Sequence, residues 1–385
     1  MNCNLCGYDS LSQLGNIGLK PASVTSEPDL CSLPAKIYYC QNCHHLQKSH
    51  TLIELSFINS LYQNYETYKV STGKEQLVFP KDNPPRPRSY HAIEQCLSLL
   101  PESGNLLDIG TGNGAILRSA SQLLQQWKLY AFDLGDKSKA EILAIPGVVE
   151  FYAESLENVP KGKFNLIVLW HSLEHIPEPA QFLSKLKHYL TEEGFLLIQV
   201  PDIHRTPFDF AVIDHWSHFT NYSLSQLCKE TGYQIELDGY DWVHNCLTLL
   251  LKRDARAIPR KKLPDLSFIP EGYFYWLKKT VEEFELATKN RKYAIFGTGI
   301  SGIWISSQLS NPPSFFIDED SQRVGNNIGN ISIVKPQDIP PGLDIVMPFT
   351  HATGKNISTK MQKEYSTCHC SNFILSQPYL KGDSH

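Results

Sequence analysis

Residues 106–114 read Leu-Leu-Asp-Ile-Gly-Thr-Gly-Asn-Gly, and nineteen residues beyond them Asp133 closes a second apolar run, Leu129-Tyr130-Ala131-Phe132-Asp133. An apolar strand here delivers Asp108, then Gly110, Gly112 and Gly114, into a turn that opens a helix. Glycine has no Cβ, so glycines at alternate positions let the backbone turn sharply and come close to a ligand. The spacing differs from the G-x-G-x-x-G of pyrophosphate-binding turns. An acid at the end of the second strand can accept both hydroxyls of a ribose, as in other nucleoside-binding α/β sheets.

The pattern continues in order along the chain. Val148 to Tyr152 reads as a third strand, with Glu154, Ser155 and Leu156 just beyond it. Phe164 to Trp170 is continuously apolar, as expected of a central parallel strand buried on both faces, and runs into His171-Ser172-Leu173-Glu174-His175-Ile176-Pro177. Phe195 to Val200 supplies a fifth strand, and Tyr233–Tyr240 with His244–Arg253 a closing pair. Strands alternating with helical stretches predict an α/β fold built on a doubly wound, mostly parallel sheet.

At 385 residues the chain is long enough for two or three domains. Apolar residues at 42% and charged residues at 19% give a globular balance, which excludes a disordered or fibrous chain. The sequence has no run of eighteen apolar residues, and its start has neither the basic residues nor the apolar stretch of a secretory signal. A cytoplasmic protein with no membrane association is expected. The net charge of −5 argues against nucleic acid, since phosphate binding needs a basic face.

Cys3-x-x-Cys6 and Cys40-x-x-Cys43 form two knuckles near the N-terminus. Two such pairs supply four thiolates at the spacing of a tetrahedral, structural Zn2+ site. The intervening loop is long, so Cys31, His44, His45 or His50 can substitute for one ligand. A disulfide framework conflicts with the missing export signal, and a redox pair lacks the thioredoxin-like strand–helix context. A closed site of this kind holds the segment together and leaves no open position for catalysis. The scattered Cys96, Cys228, Cys246, Cys368 and Cys370 read as free thiols.

Three regions follow: a zinc-binding module with a tyrosine-rich lead-in over residues 1-75, a sheet domain over 76-253, and a linker helix with a C-terminal module over 254-385. In the last of these, Phe274, Leu277, Val281 and Phe284 fall at helical spacing, a core-facing stripe. Tyr293 to Gly302 then starts a second strand–glycine–helix unit with Asp318 about twenty residues on. This matches the dinucleotide fingerprint. Fewer than 100 residues remain, however, room for about half of such a fold, so a small Rossmann-like module shaping a substrate cleft is expected.

The D-x-G-x-G-x-G turn at Asp108 resembles motif I of the class I methyltransferases that use S-adenosylmethionine, and Leu173-Glu174-His175 looks like the segment after their fourth strand. With the cysteine knuckles, the tyrosine-rich lead-in and the Rossmann-like tail, the whole chain resembles the sugar C-methyltransferases of deoxysugar biosynthesis. The resemblance implies that Asp108, Gly110, Gly112, Gly114 and Asp133 hold S-adenosylmethionine by its amino-acid and ribose portions. It places Glu154, Ser155 and Leu156 at the adenine, and Tyr68 and Ser71 over the methionine end. His171 and His175 either touch the cofactor or satisfy buried polar groups. The implied partner is a small-molecule substrate, a keto-sugar on a nucleoside diphosphate, with the zinc structural.

Chemistry is expected in Asp214-His215-Trp216-Ser217-His218-Phe219-Thr220-Asn221-Tyr222-Ser223. The sulfonium already activates the methyl group, so the protein must align the partners and unmask a nucleophile. A histidine of near-neutral pKa suits proton removal. His218 matches the family's catalytic histidine, which lies in a Tyr-x-Glu-His arrangement. Here the stretch is His215-Trp216-Ser217-His218, without the tyrosine and the glutamate, which leaves His215 and Tyr222 to stand in. Other readings are an oxygen or nitrogen methyltransferase of another natural-product or glycan precursor, a zinc-ribbon RNA methyltransferase or RNA-binding protein, and a non-catalytic scaffold.

Overall fold

The computed structural model describes residues 2–15, 17–63, 75, 77–78, 84–254, 270–321, 323–365 and 372–376. Seven strands form the central sheet: β1 (Asn105–Ile109), β2 (Lys128–Asp133), β3 (Val148–Ala153), β4 (Phe164–Trp170), β5 (Leu190–Pro201), β6 (Tyr233–Asp238) and β7 (Cys246–Arg253). Their order is β3-β2-β1-β4-β5-β7-β6. The first five are parallel, and the β6–β7 hairpin adds antiparallel to β5. The order reverses between β1 and β4, and a ligand crevice opens at the carboxyl ends of strands at such a point. Ile167, Val168 and Leu169 of β4 are fully buried, as its unbroken apolar run predicts.

The N-terminal region and the sheet domain share structure. Strands Leu11–Gln13, Ile37–Cys40 and Leu46–Lys48 form an antiparallel sheet whose fourth strand is Ser217–His218, from the segment after β5. That segment, Ile203 to Val212, also sits in one apolar core with Val24, Ile37 and Leu46 before it and Leu277, Phe284 and Trp304 after it. The helix Pro270–Thr288 buries Phe274, Leu277, Val281 and Phe284, the stripe read from the sequence.

The C-terminal module is larger than the remaining length suggested. Its six-stranded sheet orders Asn327–Ile328, Ile331–Val334, Phe315–Ile317, Tyr293–Phe296, Asp344–Met347 and Asn372–Leu375, parallel except at the first pair. Short strands let six fit where longer ones would not. No helix among the described residues is long and apolar enough to cross a membrane.

Candidate functional site

A cavity of about 850 Å³ opens at the carboxyl ends of the central strands. Its wall includes Asp108, Gly110 and Gly112 of the glycine turn, Asp133, Glu154, Ser155, Leu156, His171, Glu174, His175 and His215. Gly299, Ile300, Ser301, Arg323 and Phe349 of the C-terminal module complete it.

The glycine turn is built by the backbone that its residues permit. Gly110 has φ +74°, and a Cβ there would stand 2.9 Å from the Ser172 Cβ, so the turn and the segment after β4 can meet only with glycine at that place. Gly114 has φ +82° and caps the helix Ala115–Leu123, and an added Cβ would lie 2.5 Å from Ile142 Cδ1. Gly114 therefore shapes the turn and is not among the residues lining the cavity.

Asp108 is 2% exposed; its Oδ2 accepts a 2.8 Å hydrogen bond from Thr111 Oγ1, while Oδ1 has no partner among the described residues. Burial, with the nearby carboxylates of Asp133 and Glu75, pushes its pKa up to about 7. A buried acceptor left open beside a glycine turn suits a bound cationic or hydrogen-bond-donating group. Asp133 is fixed by two backbone donors, Gly112 N–H and Leu134 N–H, each at 2.8 Å.

Glu174, His171, His175 and His215 meet in the cavity wall, Glu174 and His215 buried and the other two half-buried. Glu174 is 1% exposed, and Oε2 of this residue has no hydrogen-bond partner among the described residues, while Oε1 lies 3.3 Å from His171 Nδ1. His175 Nδ1 faces the Asp214 carbonyl oxygen at 3.1 Å and the Tyr62 hydroxyl at 3.0 Å. A carbonyl oxygen only accepts, so Nδ1 carries the hydrogen. His215 Nδ1 stands 2.8 Å from Asp209 Oδ1, close enough to pair but poorly aligned for a hydrogen bond. The His175 and His215 rings meet edge to face at 4.7 Å. Burial alone would raise the carboxyl pKa of Glu174, but His171, His175 and His215 together hold it below its ordinary value. Burial likewise works against Asp209 and Asp214, and the facing histidines outweigh it, so both stay ionised. His171 is pushed up to about 9: burial and Arg88 oppose its charge, and Cys246 and Glu174 prevail.

His218 occupies a different place from the one its sequence position suggested. It is 1% exposed and is not among the lining residues. Its Nδ1 is bonded to Asp209 Oδ2 at 2.7 Å, and its Nε2 accepts from Lys48 Nζ at 2.9 Å. Burial, then the Lys48 charge, lowers its pKa to about 3, so it is a neutral strut. Both ring nitrogens are used because β-pairing to Leu46 draws this residue into the N-terminal sheet. Tyr222 is half-buried in the helix Asn221–Glu230 and is also absent from the lining. Tyr68 and Ser71 lie outside the described residues.

Two contributors, Lys48 and Asp209, were missed from sequence, and Asp214 was named only as part of the stretch where chemistry was expected. Lys48 is 2% exposed and ties the Val212 and His215 carbonyls to His218. Asp209 joins His215 to His218, and its signal was an acid inside the apolar run Pro207-Phe208-Asp209-Phe210-Ala211. Asp214 accepts from Ser26 N–H at 2.9 Å and Ser26 Oγ at 2.6 Å.

Away from the cavity, Cys3, Cys6, Cys40 and Cys43 converge, their sulfurs within 4.8 Å of one another. The Cys3–Cys43 and Cys6–Cys40 separations are 3.5 and 3.6 Å. Thiolates ~2.3 Å from a tetrahedral zinc stand ~3.8 Å apart, so the set fits that ion closely. In the C-terminal turn, Asp318 Oδ2 accepts from Thr298 Oγ1 at 2.5 Å and from Arg323 Nη1 at 3.2 Å. The acid of the dinucleotide fingerprint is thus engaged within the module.

Residues 85–237 match a family model described as a methyltransferase domain. The chain is 31% identical over 90 residues to a release factor glutamine methyltransferase of Enterococcus faecalis, spanning 22% of this chain and 32% of that protein. It is also 31% identical over 104 residues to the protein of the same name in Koribacter versatilis, spanning 25% of this chain and 37% of that one. The chain thus spans about a third of the length of the curated relatives it matches. Among solved structures, a SAM-dependent methyltransferase from Aquifex aeolicus is 18% identical, covering 44% of this chain and 94% of its own, with a TM-score of 0.35. An S-adenosylmethionine-dependent methyltransferase from Clostridium acetobutylicum is 13% identical over 43% of this chain and 91% of its own, with a TM-score of 0.36.

Proposed function

We propose that this chain, which carries a class I S-adenosylmethionine-dependent methyltransferase domain over residues 85–237, methylates an oxygen or carbon of a small polar acceptor, a nucleotide-linked sugar or keto-sugar. The observation that carries this reading is the shared cavity, walled by the glycine turn, by Glu174, His175 and His215, and by Gly299–Ser301 with Arg323.

S-adenosylmethionine fits the first wall. The open Asp108 Oδ1 suits its ammonium group, the Gly110–Gly112 backbone its amino-acid portion, Asp133 its ribose, and Glu154–Leu156 its adenine. Held there, S-adenosylmethionine would supply an activated methyl group to an acceptor in the same cavity. Transfer breaks the sulfur–carbon bond, forms the acceptor–carbon bond and leaves a neutral sulfide, and the acceptor loses one proton. The groups placed to receive that proton are His175 and His215, with His218 behind them as a positioning residue that acts through Asp209. The acceptor's phosphates suit the N-terminus of the helix Ile300–Gln308 and the Arg323 guanidinium. Cys3, Cys6, Cys40 and Cys43 hold a structural zinc, and the sheet they anchor carries His218.

After β4 the chain has His171-Ser172-Leu173 where amino methylation of the adenine type uses an Asn-Pro-Pro-aromatic segment, which favours oxygen or carbon over nitrogen. Methyl-labelled S-adenosylmethionine incubated with a panel of nucleotide-sugars, with mass spectrometry of the products, tests the reading. Label on a sugar supports it, and loss of a carbon-bound proton assigns carbon methylation. Label transferred only to protein, the activity named for the release factor relatives, would overturn it.

A further inference from the structure

The Glu174–His175–His215 cluster has the features of a ligand site beyond those that proton transfer requires. One donor atom from each residue lies within 4.8 Å of the others. All three residues line the cavity, and Glu174, almost wholly buried, keeps Oε2 without a hydrogen-bond partner among the described residues.

Each imidazole is also backed by an oxygen acceptor. His175 Nδ1 faces the Asp214 carbonyl oxygen and, at 3.4 Å, Asp214 Oδ2; His215 Nδ1 faces Asp209 Oδ1 at 2.8 Å. A carboxylate or carbonyl bonded to one ring nitrogen orients a metal-binding histidine and leaves Nε2 to ligate; His175 has such a bond, and His215 has the carboxylate at pairing distance without hydrogen-bond alignment. The backing acids are themselves held, Asp214 by Ser26 and Asp209 by His218. The Glu174 carbonyl accepts from Trp216 N–H at 2.7 Å, which ties the loop after β4 to the segment carrying His215.

Charge points the same way. Glu174, Asp209 and Asp214 are three buried carboxylates in one cluster, faced by Lys48 and by His171, His175, His215 and His218. Lys48 is held by His218 and by the Val212 and His215 carbonyls. Three buried carboxylates gathered at one place favour a cation beside them.

We infer that Glu174, His175 and His215 bind a divalent transition-metal cation, separate from the four-cysteine centre. Two imidazoles and one carboxylate suit Mn2+, Fe2+, Co2+ or Zn2+, with open positions toward the cavity. The use of the ion rests on the proposed methyl transfer: an acceptor oxygen completes its shell beside the sulfonium. With the ion bound, Nε2 of His175 and His215 ligate it and do not take the acceptor's proton, so a hydroxyl bound in this way releases that proton to solvent as the oxygen–carbon bond forms and the sulfur–carbon bond breaks. Binding of the ion does not depend on that reading.

The test is a titration of the full chain, carrying a single equivalent of zinc for its four-cysteine centre, with Mn2+, followed by the electron paramagnetic resonance signal of the free ion. Thiolates are poor ligands for Mn2+, so the cysteine centre does not compete. One Mn2+ per chain is expected, with affinity lowered at least ~10-fold in Glu174→Gln and His215→Ala, and ~10-fold in the positioning variant Asp209→Asn. Glu174→Gln keeps the side chain's size, and thermal melting establishes that each variant is folded. Absence of binding by the folded wild-type chain at millimolar Mn2+ would overturn the inference, as would equal binding by Glu174→Gln and His215→Ala. Calorimetry with S-adenosylmethionine alone separates the two proposals, since Mn2+ uptake without cofactor uptake sinks the methyl transfer and leaves the metal site standing.

Discussion

Replacing Asp108 by asparagine should make the empty protein more stable and the cofactor site weaker. The carboxyl is buried, and its pKa of about 7 compares with an ordinary value of 3.8. The folded chain therefore holds this proton over a pH range where the unfolded chain has released it. The stability that this contributes is complete below about pH 4 and is lost as pH rises through 7. At 1.36 kcal/mol per unit, the 3.2-unit difference amounts to about 4 kcal/mol by pH 8. Asparagine removes that cost but leaves an amide donor to satisfy, about 1–3 kcal/mol, so a net gain of about 1–3 kcal/mol is expected. The same change removes a charged partner for the cofactor's ammonium group, worth about 1.5–3 kcal/mol, or about 10- to 150-fold in Kd. In the wild type, binding a cation requires the ionised carboxylate, so affinity should fall about tenfold per pH unit below 7, with proton release. Denaturant unfolding at pH 8 and calorimetry at pH 6, 7 and 8 in buffers of different ionisation enthalpy measure both effects. An Asp108→Asn variant that binds S-adenosylmethionine as tightly as wild type, or a Kd flat from pH 6 to 8, would refute the reasoning.

Other outcomes follow from the same geometry. His215→Ala should lower kcat by about 10²-fold or more with the cofactor Kd unchanged, and His218→Ala should cost less, since it acts only through Asp209; single-turnover kinetics separate the two. Arg323→Ala should raise the acceptor KM by about 10- to 100-fold, the loss of a charge-assisted hydrogen bond, and leave cofactor calorimetry unaltered. Cys43→Ser should drop the metal content from one zinc per chain toward none in elemental analysis. It should also lower the melting temperature and the turnover together, because the zinc-anchored sheet pairs Leu46 with His218.

The central sheet was legible because each of its strands is a local pattern: an unbroken apolar run for β4, and a glycine turn and a terminal acid for β1 and β2. The cysteine cluster was legible for the same reason, from two short knuckles. The floor of the cavity was not. His218 stands where the resemblance put a base, but strand pairing with Leu46, far away in sequence, turns it into the core and brings Lys48 onto its open nitrogen. Asp209 and Lys48 gave no periodic signal, since a buried charge is placed by tertiary partners and not by its neighbours in the chain. The C-terminal sheet was underestimated because length alone does not reveal strands of two to four residues.

The most direct test of the shared cavity is a crystal structure of the chain with S-adenosylhomocysteine and a nucleoside diphosphate. The account predicts the amino-acid and ribose portions on Asp108 and Asp133, the sulfur facing Glu174, His175 and His215, and the diphosphate against Gly299–Ser301 and Arg323. A cofactor product seated away from the glycine turn, or one whose sulfur points away from His175 and His215, would contradict it.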